Sequence, residues 1–488
     1  MLDPQHLGFR GSISSLIALG RIPLASEVPI WTLLGCIVSS QVFPNDIRLD
    51  GVGVGVGGVL RAFDWWAALQ CMLVTWGTNV AINFGNEYFD WDLDHPGQVE
   101  AIKRDVEARR ARGGAAGTAA GSSPQPDGVD ASEEEKKENE KIMGNTTRII
   151  HDGTFPKYVS LLCCAFWQLS LVGLILFSRS TDPALHTSVD PGSHWRSGYG
   201  GSPFRGLALH IGIICTLLSH SYVGPPLRLH YNGFGELVSA LFLSPVAFVF
   251  GLVGHYTAVS GRAATWHDLV RATPKTSSSG FALDRQMWLL VGAFYTFEQA
   301  RIFVMHVNDI EADRRGGKHT FVSRVGHTAA RNLYVCFNLA SLLLFTAFTA
   351  SLVLPLTTMT LHPALRPFSA QKIPGMMLRA AGGVPLAGSA AKFFSIIWLV
   401  GLVVILAYSI PICAITIKSL TAEIPNNEKG KKGKSEPAAR IPDVPIGKCA
   451  MLVSFQMLGT AAFLCLTSLL ASFAGTFVET RTGGVVAI

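Results

Sequence analysis

Asn83-Phe-Gly-Asn86-Glu87-Tyr88-Phe89-Asp90-Trp91-Asp92-Leu93-Asp94 closes an apolar run over 63–85. The run is long enough for a helix that crosses about 30 Å of hydrocarbon at 1.5 Å per residue. If the helix continues through this segment, Glu87, Asp90 and Asp94 fall at i, i+3 and i+7 and share one face. Carboxylates so close repel one another unless a cation neutralises them. A hydrophobic helix that ends in a stripe of acids therefore calls for a metal.

The rest of the chain sets that helix among others of its kind. Of 488 residues, 49% are hydrophobic and 15% charged, against about 25% charged in soluble domains. Lipid is the expected solvent. Nine apolar stretches read as spans: 24–43, 63–85, 156–178, 205–224, 235–256, 287–307, 332–354, 393–417 and 448–477. The expected fold is all-α, a polytopic membrane helix bundle of about nine transmembrane helices. Glu27 and two prolines interrupt the first span, and the fourth and fifth carry Pro or His that only a packed bundle tolerates. The nine cysteines lie mostly within spans without metal-ligand spacing and read as packing residues. Residues 1–20 lack the basic start and cleavage site of a removable secretory signal, and no feature points to nucleic acid.

Basic residues gather after the even-numbered spans: Arg148, Arg228, the group Arg314, Arg315, Lys318 and Arg324, and the run Lys429, Lys431, Lys432 and Lys434. The positive-inside rule places those loops, and the site at their span ends, on the cytoplasmic side. Residues 98–143, with EEEKKENEK and GGAAGTAAGSSPQPDG, have too little apolar surface to pack and read as a disordered insertion. It divides one domain into 1–97, with the first acidic motif, and 144–488, with the second.

That second motif is His306-Val-Asn308-Asp309-Ile-Glu311-Ala-Asp313-Arg-Arg-Gly-Gly-Lys318-His-Thr320, at the end of the sixth span. Asp309 and Asp313, at i and i+4, share a face, and basic residues follow. Hard carboxylate oxygens without His or Cys partners suit Mg²⁺, which bridges a few carboxylates to substrate phosphates. Arg148, Arg228 and Lys318 stand nearby to take further phosphate charge. The implied ligand is a diphosphate. A proton or ion transporter is the competing class, although its coupling carboxylates belong near the bilayer midplane.

With both motifs in hand, the chain resembles the UbiA family of intramembrane aromatic prenyltransferases, and within it the branch that prenylates 1,4-dihydroxy-2-naphthoate in menaquinone synthesis. Asn86, Glu87, Asp90 and Asp94 match NDxxDxxxD, with Asn83 upstream, and Asp309 and Asp313 match DxxxD. Gly317-Lys318-His319-Thr320 with Arg324-Val325-Gly326 is similar to the branch's GKxT and RLG continuation. The segments 144–153 and Tyr222–Glu236 also resemble family loops. The family's first aspartate is Glu87 here, and the 98–143 insertion lengthens the loop before Arg148.

The resemblance implies electrophilic transfer of a prenyl group from a prenyl diphosphate to an aromatic acceptor, 1,4-dihydroxy-2-naphthoate-like, giving a lipid quinone precursor. It implies Mg²⁺ held by Asp90, Asp94, Asp309 and Asp313, with Glu87 as a further ligand. Arg148, Arg228, Lys318 and Asn86 would bind diphosphate, and Tyr88, Tyr222 and Tyr231 would line the cavity, where ring faces stabilise an allylic cation. The same reaction on 4-hydroxybenzoate or another phenol, and a non-catalytic transporter or lipid-binding protein of the same fold, remain as alternatives. Tail length and oligomeric state stay open.

Overall fold

The computed structural model describes residues 9–22, 27–42, 63–91, 155–178, 202–270, 281, 283, 285–307, 309–315, 317–361, 388–422 and 446–481. Asp94, Arg148, the 98–143 insertion and the Lys-rich run lie outside them. Among the described residues there is no strand.

Every one of the nine apolar stretches contains a helix. After a short α1, Phe9–Leu19, come α2, Val28–Val42, α3, Trp65–Phe89, α4, Lys157–Phe177, and α5, Leu207–Val223. Then follow α6, Gly235–Ser260, the short α7, Trp266–Val270, α8, Arg285–Val307, and the single-turn α9, Ile310–Arg315. Three long helices complete the bundle: α10, Phe321–Leu361, α11, Gly388–Ala422, and α12, Ile446–Arg481. Five of these are long and apolar enough to cross a membrane by themselves, namely α4, α6 and the segments Phe321–Ser351, Ile396–Thr421 and Lys448–Ser468. Two are shorter and apolar, Val28–Ser40 and α5. Helices α3 and α8 have the length, 25 and 23 residues, but carry the polar groups of the site.

Local chemistry fixes the ends that matter. Asp64 caps α3 by accepting the N–H groups of Trp66 and Ala67, both at 2.9 Å, which satisfies two of the helix's orphan donors. Its own N–H donates to His255 Nε2 at 3.1 Å, and His255 Nδ1 meets Ser39 Oγ at 3.3 Å. The buried histidine of the fifth expected span thus ties the far end of the bundle together. Pro245, which has no N–H to give, sits in a π-helical stretch, Phe242–Val246, inside α6. At the site end α3 stops at Phe89 with Asp90 as its C-cap, so the helix expected to run on to Asp94 ends a turn earlier.

Helix α2 lies backbone to backbone against α6. A Cβ on Gly35 would sit 2.0 Å from the carbonyl oxygen of Phe248, and one on Gly251 would sit 2.1 Å from that of Thr32. Small residues at such crossings let helices without a water-driven force between them make close contact. Around this crossing Trp31, Phe248, Phe294 and Phe345 form the aromatic centre of the core. Helix α8 packs along α10, and α3 along α4. The outer face of α4 leaves Leu162, Phe166, Leu169 and Phe177 exposed, as a lipid-facing helix would.

Candidate active site

Three loops meet at the end of the bundle where α3 and α8 finish. The first is the C-cap of α3, the second runs from Gly224 to Phe234 before α6, and the third joins α9 to α10. A backbone bond joins the last two, with His319 N–H donating to the Tyr231 carbonyl at 3.2 Å, and just beyond them Val322 N–H of α10 donates to the Glu236 Oε1 side chain of α6 at 3.1 Å. Glu236 Oε1 also lies 3.3 Å from His306 Nδ1 on α8. Gly317, at φ 72°, turns the chain from α9 into Lys318 in a conformation that favours glycine, and Lys318 N–H then closes onto the Asp313 carbonyl at 2.8 Å.

This framework brings both acidic motifs to one cation. Lys318 Nζ lies 3.0 Å from Asp90 Oδ2, and Tyr231 OH donates to Asp90 Oδ1. Lys318 Nζ is also 5.6 Å from the centre of the Tyr231 ring, within reach of a cation–π contact. Asp313 accepts a bond from Thr320 Oγ1 at 2.8 Å. Asp90, Asp313 and Lys318 are all buried. Burial works to raise the Asp90 carboxyl, but the Lys318 ammonium and the Tyr231 hydroxyl hold it below its ordinary range. Asp309 and Asp313 have no salt bridge among the described residues. Burial pushes Asp309 up and Asp313 up to about 6, against the pull of Lys318.

Other expected residues are placed differently. Glu87 is buried and pairs with Arg21 at 3.2 Å, a partner the sequence reading did not include. Arg21 adopts a left-handed φ of 47° just after α1, and a lone arginine at the end of a short amphipathic helix was the one signal available for it. Tyr88 does not enter the cluster, because its ring packs edge-on to Phe89 and lies beneath Lys157. Arg228 is exposed, with its guanidinium 5.7 Å from the centre of the Tyr231 ring. It overhangs the site without touching an aspartate. Burial pushes the imidazole of His230 down to about 3, which keeps it neutral, and its Nδ1 meets Tyr222 OH at 3.2 Å.

Beside the cluster opens a cavity of about 180 Å³. Its rim includes Arg21, Asn83, Asn86, Tyr222 and His306, its walls Ile82, Leu218, Phe242 and Met305, and its inner end Glu27 and Arg301. The aspartates do not line it; they stand above the rim. Asn86 Oδ1 is buried there without a hydrogen-bond partner among the described residues. A smaller apolar cavity of about 30 Å³ shares Thr78, Asn79, Ile82, Cys215, Phe242 and Leu243 with the first and extends to Val28, Val246 and Phe250.

No protein-family model matches the chain, and no curated protein does. Among solved structures, a UbiA homolog from Archaeoglobus fulgidus bound to DMAPP and Mg²⁺ is similar to it, with 11% identity and a TM-score of 0.39 over 95% of this chain and 99% of that one.

Among the described residues no group of three or more His, Cys, Asp or Glu side chains is gathered to hold a metal. The donor chemistry nevertheless fits a hard cation. Asp90, Asp309 and Asp313 are carboxylates on adjoining loops, and the Lys318 ammonium already fills the place of a counter-ion at one of them. Such an arrangement could bind an oxyanion together with its metal: the ion would sit with Asp309 and Asp313, and Lys318 could turn from Asp90 to phosphate.

Proposed function

We propose that this chain is a magnesium-dependent prenyltransferase that moves a prenyl group from a prenyl diphosphate to an aromatic acceptor, a dihydroxynaphthoate-like ring being the preferred one. The observation that carries the reading is Lys318, which pairs with Asp90 of the first motif and whose charge acts on Asp309 and Asp313 of the second, beside a mostly apolar cavity. The match of both motifs to the UbiA pattern supports it, as do the apolar helices around them.

In this reading Asp90, Asp309 and Asp313 hold Mg²⁺, with Asp94 as a further candidate. When bound, the metal supplies positive charge that stabilises the departing diphosphate. Lys318 binds a diphosphate oxygen, and Arg228 reaches over from the exposed side. The Asn86 side chain, short of a partner at the rim, orients the substrate. The isoprenoid tail follows the apolar walls toward the smaller cavity, in keeping with a site opening sideways to lipid. The Tyr222 and Tyr231 rings face the allylic carbon as its bond to oxygen loosens. Ring electrons of the acceptor form the new carbon–carbon bond, diphosphate leaves with the old bonding pair, and its oxygens accept the ring proton. Stabilising that leaving group in a partly dehydrated site is worth several kcal/mol, roughly a factor of a thousand or more in rate.

The test is to incubate the purified chain with Mg²⁺, prenyl diphosphates of several lengths and a panel of aromatic acceptors, and to identify products by mass. Prenylated product that disappears in Asp313→Asn supports the reading. No product with any acceptor from folded protein contradicts it.

A further inference from the structure

The cavity of about 180 Å³ and its neighbour of about 30 Å³ share a wall, and Phe242 of α6 is the largest side chain in it. The ring stands in that wall rather than in the core. Leu243 and Val246 beside it pack against the main core, whereas Phe242, half-buried, belongs to no core cluster among the described residues. Nor does it meet another ring among them, unlike Phe248 farther along α6, which packs edge-on to Phe294. Its backbone opens the π-helical stretch Phe242–Val246, a local widening that recurs at functional sites.

Beyond the wall the smaller cavity is mostly apolar, bounded by Val28, Val74, Val246, Ala247 and Phe250. Thr75 and Thr78 also line it, but their hydroxyls are engaged by their own helix: Thr78 Oγ1 donates to the Val74 carbonyl at 2.7 Å and Thr75 Oγ1 to that of Met72 at 3.1 Å. Asn79 lies in the shared wall. An apolar cavity of about 150 Å³ takes one benzene, and a water's share of the liquid is about 30 Å³. On that scale the larger cavity holds little more than one ring-sized fragment, and the smaller is too tight for an isoprene unit. Removing the Phe242 phenyl would free roughly a benzene's volume between them, room for one isoprene unit more.

We propose that Phe242 is the length-determining residue of the donor site: its ring ends the space open to the isoprenoid tail, so the units of a long donor that lie past it go to lipid and are not read by the protein. This rests on the transferase reading and deepens it, by fixing how much of the prenyl donor the chain itself recognises. With the ring gone, the two cavities join and the next unit of the tail is held between α3 and α6.

The experiment measures binding of dimethylallyl, geranyl, farnesyl and geranylgeranyl diphosphate, with Mg²⁺ and without an acceptor, to the full chain in one detergent by calorimetry. The quantity read is the ratio of Phe242→Ala to wild-type affinity at each length, in which partition of the tail into detergent cancels. That ratio is expected to be at least ~fivefold higher for the longer donors than for dimethylallyl diphosphate, the gain from burying one further isoprene unit, and to level off after a single step. A ratio that is the same at every length overturns the proposal. If Phe242→Ala does not fold, Phe242→Leu, which removes part of the bulk and keeps an apolar side chain, is read in the same way, with a rise of at least ~twofold expected and a flat ratio again overturning. A ratio that rises with length in a protein that forms no product keeps the length-determining wall and removes the transferase. Product formation with a flat ratio does the reverse, and a wild type that binds none of the four donors removes both.

Discussion

Lys318 Nζ lies 3.0 Å from Asp90 Oδ2 although 228 residues separate them in sequence, and this one contact joins the two acidic segments. Both partners are largely buried, with 6% and 10% of their side chains exposed. Removing one member of a buried pair leaves the other charge uncompensated, at a cost of about 3–5 kcal/mol. Lys318→Met is therefore expected to lower stability by roughly that amount and prenyl transfer by at least ~100-fold. Mg²⁺ should recover part of the thermal stability, because a cation can take over the duty of the lost ammonium. Thermal unfolding with and without Mg²⁺ checks this, and a deficit indifferent to the metal would count against a shared site.

Tyr231→Phe removes the hydroxyl that bonds Asp90 and keeps the ring under Lys318. Hydrogen bonds to charged groups contribute about 1.5–3 kcal/mol. The expected result is a rise of roughly 10- to 100-fold in the Mg²⁺ concentration needed for half-maximal activity, if Asp90 is a ligand whose orientation that hydroxyl sets. An unchanged metal requirement would remove Tyr231 from the metal's support.

Arg21 and Glu87 form a pair in which the carboxylate is 5% exposed and the guanidinium 26%. The Arg21→Ala, Glu87→Gln double variant should be destabilised by less than the sum expected from Arg21→Ala and Glu87→Gln acting independently, since the second change removes the charge that Arg21 balanced. A double-mutant cycle by chemical unfolding measures the coupling. Additive effects would show that the two side chains act independently.

The backbone crossing of α2 and α6 gives a test far from the site. A Cβ at Gly251 meets the Thr32 carbonyl, so Gly251→Val must force the helices apart. The expected loss of folded protein, on the order of 3 kcal/mol or more, is read by size-exclusion yield and thermal unfolding. Gly173→Val on α4, where nothing stands within 4 Å, should be tolerated.

These particulars show what the sequence made legible. The nine apolar stretches were readable because a helix in lipid must carry its own hydrophobic length, and each contains a helix. Asp90, Asp309, Asp313 and Lys318 stood out because acid and base so near the end of an apolar run have few structural uses. Arg21 was hidden, since its partner Glu87 lies 66 residues away and no local pattern announces a long-range pair. Glu27 looked like an interruption of the first span. Its meaning as half of a buried ion pair depends on Arg301, which lies far away in sequence on α8. Tyr88 was misplaced for a related reason: adjacency in sequence to Asp90 says nothing about which side of α3 a ring occupies, and the helix turns Tyr88 toward Lys157.

The most direct measurement of the central claim is Mg²⁺-dependent product formation by the purified full chain, given a labelled prenyl diphosphate and 1,4-dihydroxy-2-naphthoate and compared with Asp90→Asn and Asp313→Asn. The account predicts labelled prenyl-arene and released diphosphate from the wild type only when Mg²⁺ is present, with a drop of at least ~100-fold in either variant. Product formation that ignores Mg²⁺, or that either variant retains in full, would contradict it.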